Sequence, residues 1–135
     1  MKLSTHIKRQ LEQCGVLAVY LFGSHAQGVA GALSDRDIAI LLKDSRIIGS
    51  NSFPLYEKLY DVFSELFPQD ANHLDIVFLH RAPLELQFDV IRYGKVIFDA
   101  SPNDRLDYEE RVMLAYADFR PLLEELDQAV LSRIS

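Results

Sequence analysis

Val16 to Phe22 is apolar throughout and only seven residues long, and it stops abruptly at Gly23-Ser24. A run this short and this uniformly apolar predicts a strand buried on both faces rather than an amphipathic helix. Asp37 to Leu42 reads the same way after its acidic start, so the two strands are expected to be neighbours. Ten residues separate Ser24 from Asp35. Within them Gly28, Gly31 and Ser34 punctuate a loop that follows a brief helical turn from Ser24 to about Gln27 or Gly28. That loop brings the end of the first strand to the start of the second. A chain constrained in this way places Gly23 and Ser24 beside Asp35-Arg36-Asp37.

Chemistry follows from that placement. On a strand, the period of two puts the Asp35 and Asp37 carboxylates on one face, with Cα atoms about 7 Å apart. Strand interiors disfavour Asp, so a pair there needs a reason. A third carboxylate, Asp75, opens another apolar run, Leu74-Asp75-Ile76-Val77-Phe78-Leu79. Three carboxylates brought together raise one another's pKa, and divalent cations with oxygen ligands relieve that repulsion, which points to magnesium. At a strand-to-helix turn, Gly23 and Ser24 aim backbone N–H groups and a hydroxyl at an anion, which points to phosphate.

The rest of the chain reads as alternating elements. Ser4 precedes Ile7, Leu11 and Cys14 at helical spacing, with Gly15 placed for a left-handed cap, predicting a helix from about Ser4 to Cys14. Asn51, Ser52 and Pro54 open a second helix whose stripe of Leu55, Leu59, Val62, Phe63 and Leu66 ends at Pro68. His73 to His80 is a third strand, Pro83 to about Tyr93 a helix ended by Gly94, and Lys95 to Phe98 a short edge strand. From Asp104 onward helical spacing persists, with a kink or break expected near Arg120 because Pro121 follows. The order describes one α/β (α+β) domain over residues 1–135: a small mixed sheet of about four strands, covered by helices chiefly on one face.

Composition narrows the partners. Hydrophobic residues make up 49% and charged ones 25%, which suits a folded soluble domain. A net charge of −6 argues against broad binding to a nucleic-acid backbone, which needs a basic face. Cys14 is the only cysteine, so no intramolecular disulfide or zinc framework is expected, and a cytoplasmic setting fits. No signal-like segment opens the sequence and no run approaches the ~18 apolar residues of a membrane span. His6, His25, His73 and His80 lack the spacing of a metal cluster and are read as surface or capping residues. Tyr56, Tyr60 and Phe63 read as core, and Glu109, Glu110, Glu124, Glu125 and Asp127 as the wet face of the last helical segments.

Leu21-Phe22-Gly23-Ser24-His25-Ala26-Gln27-Gly28, followed by Ser34-Asp35-Arg36-Asp37, resembles the signature of the polymerase-β-type nucleotidyltransferase superfamily. Leu74-Asp75-Ile76-Val77, Ala82-Pro83-Leu84 and Arg92-Tyr93-Gly94-Lys95-Val96-Ile97-Phe98 resemble the continuation in its minimal (MNT) members, and Tyr116 to Leu123 is similar to their C-terminal helix. The resemblance implies a palm-like sheet and a Gly23-Ser24 turn gripping the triphosphate of ATP. It also implies two Mg2+ ions on Asp35, Asp37 and Asp75, the last nearer the acceptor. It further implies an antitoxin that moves AMP from ATP onto a tyrosine of a cognate HEPN ribonuclease toxin. Two other readings remain open at this point: neutralisation by binding alone, and transfer to a small-molecule acceptor. The sequence departs from the pattern at Gln27, where many relatives place Arg, and at Phe78, where another acidic residue is frequent.

Overall fold

The computed structural model describes residues 2–23, 35–47, 49 and 51–134. Ser24 and Gln27 lie outside the described residues, as do the expected helical turn after Gly23 and the loop with Gly28, Gly31 and Ser34.

Helix α1 (Thr5–Gln13) starts where Ser4 Oγ accepts a hydrogen bond from the Ile7 N–H at 3.2 Å, satisfying one of the orphan donors of the first turn. It buries Ile7 and Leu11 and ends at Cys14, ahead of Gly15 at φ +76°. Strand β1 (Val16–Phe22) pairs antiparallel with β2 (Arg36–Leu42). Helix α2 (Phe53–Leu66) is opened by Asn51, whose Oδ1 accepts from the Phe53 N–H at 3.1 Å, and has Pro54 in its first turn. Strand β3 (Leu74–Phe78), helix α3 (Leu84–Tyr93), strand β4 (Lys95–Asp99) and helix α4 (Pro102–Ile134) complete the chain. The sheet order is β3-β2-β1-β4. β1 is antiparallel to both of its neighbours, and β2 is parallel to β3. Edge placement of β4 agrees with its short apolar run.

Both faces of the sheet are covered, where the sequence reading has helices chiefly on one. Val19, Leu21, Ile38, Ile40, Ile76 and Phe78 pack with α1 and α2 through Ile7, Leu11, Leu59 and Phe63. On the opposite face Tyr20, Ala39 and Leu41 meet Val90 of α3 and Tyr108 and Val112 of α4. The unbroken apolar runs of β1 and β2 require this second cover, because a strand with both sides apolar cannot leave one in water. Arg105 secures the cover to the sheet edge. Its Nε donates to Asp99 Oδ2 at 2.7 Å, and its guanidinium also bonds Glu109 one turn along α4.

Helix α4 is continuous for 33 residues, so of the kink or break expected near Arg120 the break does not occur. Proline at position 121 removes one main-chain donor, and the ladder resumes on either side, bridged by Arg120 Nε donating to Glu124 Oε1 at 3.3 Å. Among the described residues beyond Arg120 only Leu123 is even half-buried, so little tertiary packing resists the distortion that the ring causes. An interior proline costs about 3 kcal/mol relative to alanine. Pro121→Ala should therefore slow amide hydrogen exchange after residue 121 by roughly a hundredfold while leaving the global unfolding midpoint almost unchanged. Equal protection in the two proteins would count against this account. Among the described residues no helix is long and apolar enough to cross a membrane.

Candidate active site

Parallel pairing sets Asp37 opposite Asp75 and Arg36 opposite Leu74, so the two carboxylates start from adjacent strands about 4.8 Å apart. Alternation puts them on the face that also carries Ala39, Leu41 and Val77. Asp35 stands two residues before Asp37, just ahead of β2. The backbone thus brings Asp35, Asp37 and Asp75 to one end and one face of the sheet. The side chains do not all meet, and Asp35 Oδ1 lies 3.6 Å from His73 Nδ1, an ion pair when that ring is protonated. Among the described residues no three His, Cys, Asp or Glu side chains stand close enough to share one ion. Hard carboxylate oxygens at adjacent register positions fit magnesium by donor type, and rotation of Asp35 away from His73 is what a shared site requires.

Gly23 is crowded against this group. Its φ is +76°, and a Cβ built there would lie 2.1 Å from Asp37 Oδ2 and 3.0 Å from Asp37 Cγ. Only glycine allows the chain to leave β1 in that direction with the Asp37 carboxylate in place. The same absence of a side chain opens the backbone to a ligand. The antiparallel partner of Asp37 is Phe22, so Gly23, which follows β1, and the Asp37 carboxylate share one corner of the sheet.

Two neighbours support the corner without being assigned a role there from the sequence, Arg36 and His73. Arg36 points to the opposite face from the aspartates that flank it. Its Nε donates to Asp70 Oδ2 at 2.9 Å, its guanidinium carbon sits 4.1 Å from the centre of the Phe67 ring, and its main-chain N–H donates to His73 O at 2.7 Å. These contacts hold the backbone that presents Asp35 and Asp37. Period-two alternation between two aspartates was the signal for Arg36, and His73 sits two residues before Asp75 on the same ground. Tyr56 and Tyr60 are half-buried and pack against the core as expected, the Tyr56 hydroxyl pKa pushed up first by burial, then by Tyr60 and by the negative charge of Asp75. Phe63 is buried in the core as expected, and Phe78 is a core residue too.

Arg36 is about one-fifth exposed, so its ion pair is only partly screened. Arg36→Ala should lower stability by about 1–2 kcal/mol through the lost ion pair and cation–π contact, read from a denaturant midpoint. A change below about 0.3 kcal/mol would contradict that role.

A cavity of about 880 Å3, lined by Leu17, Leu42, Lys43, His80 and Tyr108 among others, opens at the other end of the sheet, where β2 finishes and β1 begins. It is remote from the aspartates, and the geometry around Gly23, Asp37 and Asp75 is the better guide to chemistry.

A corner built this way, with a glycine turn against paired strand-borne aspartates on a small mixed sheet, belongs to enzymes that transfer nucleotides. Residues 5–103 match the family described as Polymerase beta, Nucleotidyltransferase, and the chain is a member of that family. Among curated proteins it is 29% identical over 106 residues to the protein adenylyltransferase MntA of Aphanizomenon flos-aquae (strain 2012/KM1/D3), covering 76% of this chain and 69% of the relative. Among solved structures, a toxin-antitoxin crystal structure with AMP-PNP contains a chain that superposes with a TM-score of 0.68 at 24% identity, covering 95% of this chain and 99% of the other. A chain from tri-AMPylated Shewanella oneidensis HEPN toxin in complex with MNT antitoxin superposes at 0.61 with 18% identity, covering 96% and 99%. At these identities the superpositions establish a shared fold.

Proposed function

We propose that this nucleotidyltransferase is an antitoxin that transfers AMP from ATP to a tyrosine hydroxyl of a cognate HEPN-type ribonuclease toxin and thereby silences it. The observation that carries the reading is the register of Asp37 against Asp75, with Asp35 two residues upstream and Gly23 pressed onto the Asp37 carboxylate. The adenylyltransferase named among the relatives supports the choice of AMP, and the toxin complexes among the structural neighbours support the choice of partner.

In this mechanism Gly23 and Ser24 bind the triphosphate through the turn after β1, holding the pyrophosphate as leaving group. Asp35, Asp37 and Asp75 would hold two magnesium ions, which supply charge neutralisation at the reacting phosphate and acidify the acceptor hydroxyl. The acceptor oxygen forms a bond to the α-phosphorus as the bond to the pyrophosphate oxygen breaks. Asp75, on the outer strand, accepts the hydroxyl proton. Arg36, clamped by Asp70 and Phe67, keeps Asp35 and Asp37 oriented.

Incubation of the purified protein with labelled ATP, magnesium and its cognate HEPN-type partner should place label on a partner tyrosine, with one pyrophosphate released for each AMP transferred. An unlabelled partner, with both proteins folded, would overturn the proposal.

A further inference from the structure

Helix α4 outruns the body that it covers. At 1.5 Å per residue its 33 residues span about 50 Å, and the last of its rings to stack on another element is Tyr116, centred 4.0 Å from Phe88 of α3. The apolar face that buries Tyr108 and Val112 against the sheet does not stop there. At spacings of three and four it continues through Phe119, Leu122, Leu126 and Val130. Leu122 is 52% exposed, Leu126 55% and Val130 54%. Single exposed leucines are ordinary, but a stripe kept in phase with a buried face beyond the end of that face is a patch, and patches mark contacts. A helical segment this short is also marginal in water without packing, and Pro121 weakens it further. Nothing in the mechanism above uses this surface.

Charge beside the stripe says what covers it. By the helical period Asp118 and Glu125 flank it on one side and Asp127 on the other, and among the described residues none of the three has an ion-pair partner. Arg120 is engaged by Glu124, which leaves Arg133 as the one uncommitted cation beyond Tyr116 among the described residues. Two copies paired on the stripe about Leu126 would set Glu125 beside its own counterpart and Asp127 likewise, and like charges so placed repel. A stable interface also engages about 20–30 residues a side, more than the projecting segment holds, so self-pairing through it alone is weak. An apolar centre with acidic rims instead fits a protein whose own apolar patch is rimmed by Lys and Arg. A ribonuclease, which grips a polyanion, carries basic surface of that kind.

We infer that the Phe119–Val130 stripe of α4 is the docking surface for the basic ribonuclease partner, gripping it at a distance from the reacting groups. The identity of the partner rests on the proposed function above. Leu122→Gln with Leu126→Gln should weaken binding of the cognate HEPN-type partner at least about tenfold. The dissociation constant for Mg-ATP and the thermal midpoint should not move, because both leucines are exposed and glutamine keeps helix propensity. Glu125→Lys with Asp127→Lys should weaken binding as well, by a factor that shrinks at high salt. Unchanged affinity in the glutamine variant, while the parent protein binds and labels its partner, would overturn the inference and leave the transfer reading standing. Failure of the parent protein to bind or label the partner would instead remove the transfer reading, and the inference with it. Amide hydrogen exchange on the parent protein decides the matter if the glutamine variant folds poorly: added partner should slow exchange across residues 119–131, and slowing confined to other segments would overturn the inference. A parent protein that sediments as a dimer, and as a monomer once both leucines are replaced, would overturn it too by assigning the stripe to a second copy.

Discussion

Asp37→Asn is expected to abolish the proposed AMP transfer, lowering kcat/KM by about a thousandfold or more, while the protein stays folded. The substitution keeps the shape of the side chain and removes the charge that sits between the Gly23 turn and Asp75. Loss of several kcal/mol of transition-state charge stabilisation corresponds to a thousandfold in rate or more. Stability moves the other way, if at all. Asp37 and Asp75 are directly paired on adjacent strands, like charges opposite one another are destabilising, and the amide relieves that repulsion by up to about 1 kcal/mol. The doubly substituted Asp35→Asn, Asp37→Asn protein separates the enzyme from a protein that neutralises its partner by contact alone. Cells carrying it should lose protection from the proposed partner toxin, whereas undiminished protection would establish the contact mechanism.

Gly23→Ala has the second large effect, for a steric reason. At φ +76° an alanine costs about 1–2 kcal/mol of backbone strain, and its Cβ, 2.1 Å from Asp37 Oδ2, displaces the carboxylate. Strain and displacement act on one corner, so activity falls further than stability. We expect kcat/KM to drop by about a hundredfold or more against a stability loss of at most ~2 kcal/mol, because a displacement near 1 Å in a reacting constellation is worth about that much in rate. Parallel measurement of AMP transfer and urea unfolding checks both numbers. An alanine variant with more than half of the parent activity would show that the close approach has no catalytic consequence.

The two strands that matter most were legible because their signals are local. Val16–Phe22 and the run after Asp37 have one length and one composition, and period two fixes the relation of Asp35 to Asp37 without any tertiary knowledge. Gly23 was legible as a turn residue, but its need for glycine was not, since that depends on where the Asp37 carboxylate lies. Register between β2 and β3 is likewise non-local: pairing of Asp37 with Asp75 spans the whole of α2. The role of His73 beside Asp35 and the clamp of Arg36 on Asp70 and Phe67 depend on that same register. Reading a kink or a break near Arg120 followed propensity, and the helix continues through Pro121 because one missing donor in a largely exposed helix leaves the remaining hydrogen bonds intact. The second covered face was implied by the doubly apolar strands, and only the packing of Val90, Tyr108 and Val112 reveals which helices supply it.

In the proposed mechanism Asp37 and Asp75 from two strands, with Asp35 just ahead of the first, converge on metal beside a bound triphosphate. A crystal structure with manganese and a non-hydrolysable ATP analogue tests it most directly, because manganese is located by its anomalous scattering. The account predicts anomalous peaks bounded by Asp35, Asp37 and Asp75, with Asp35 rotated off His73 and the phosphates against Gly23. Asp75 turned away from the other two, with no peak between them while nucleotide is bound, would contradict it.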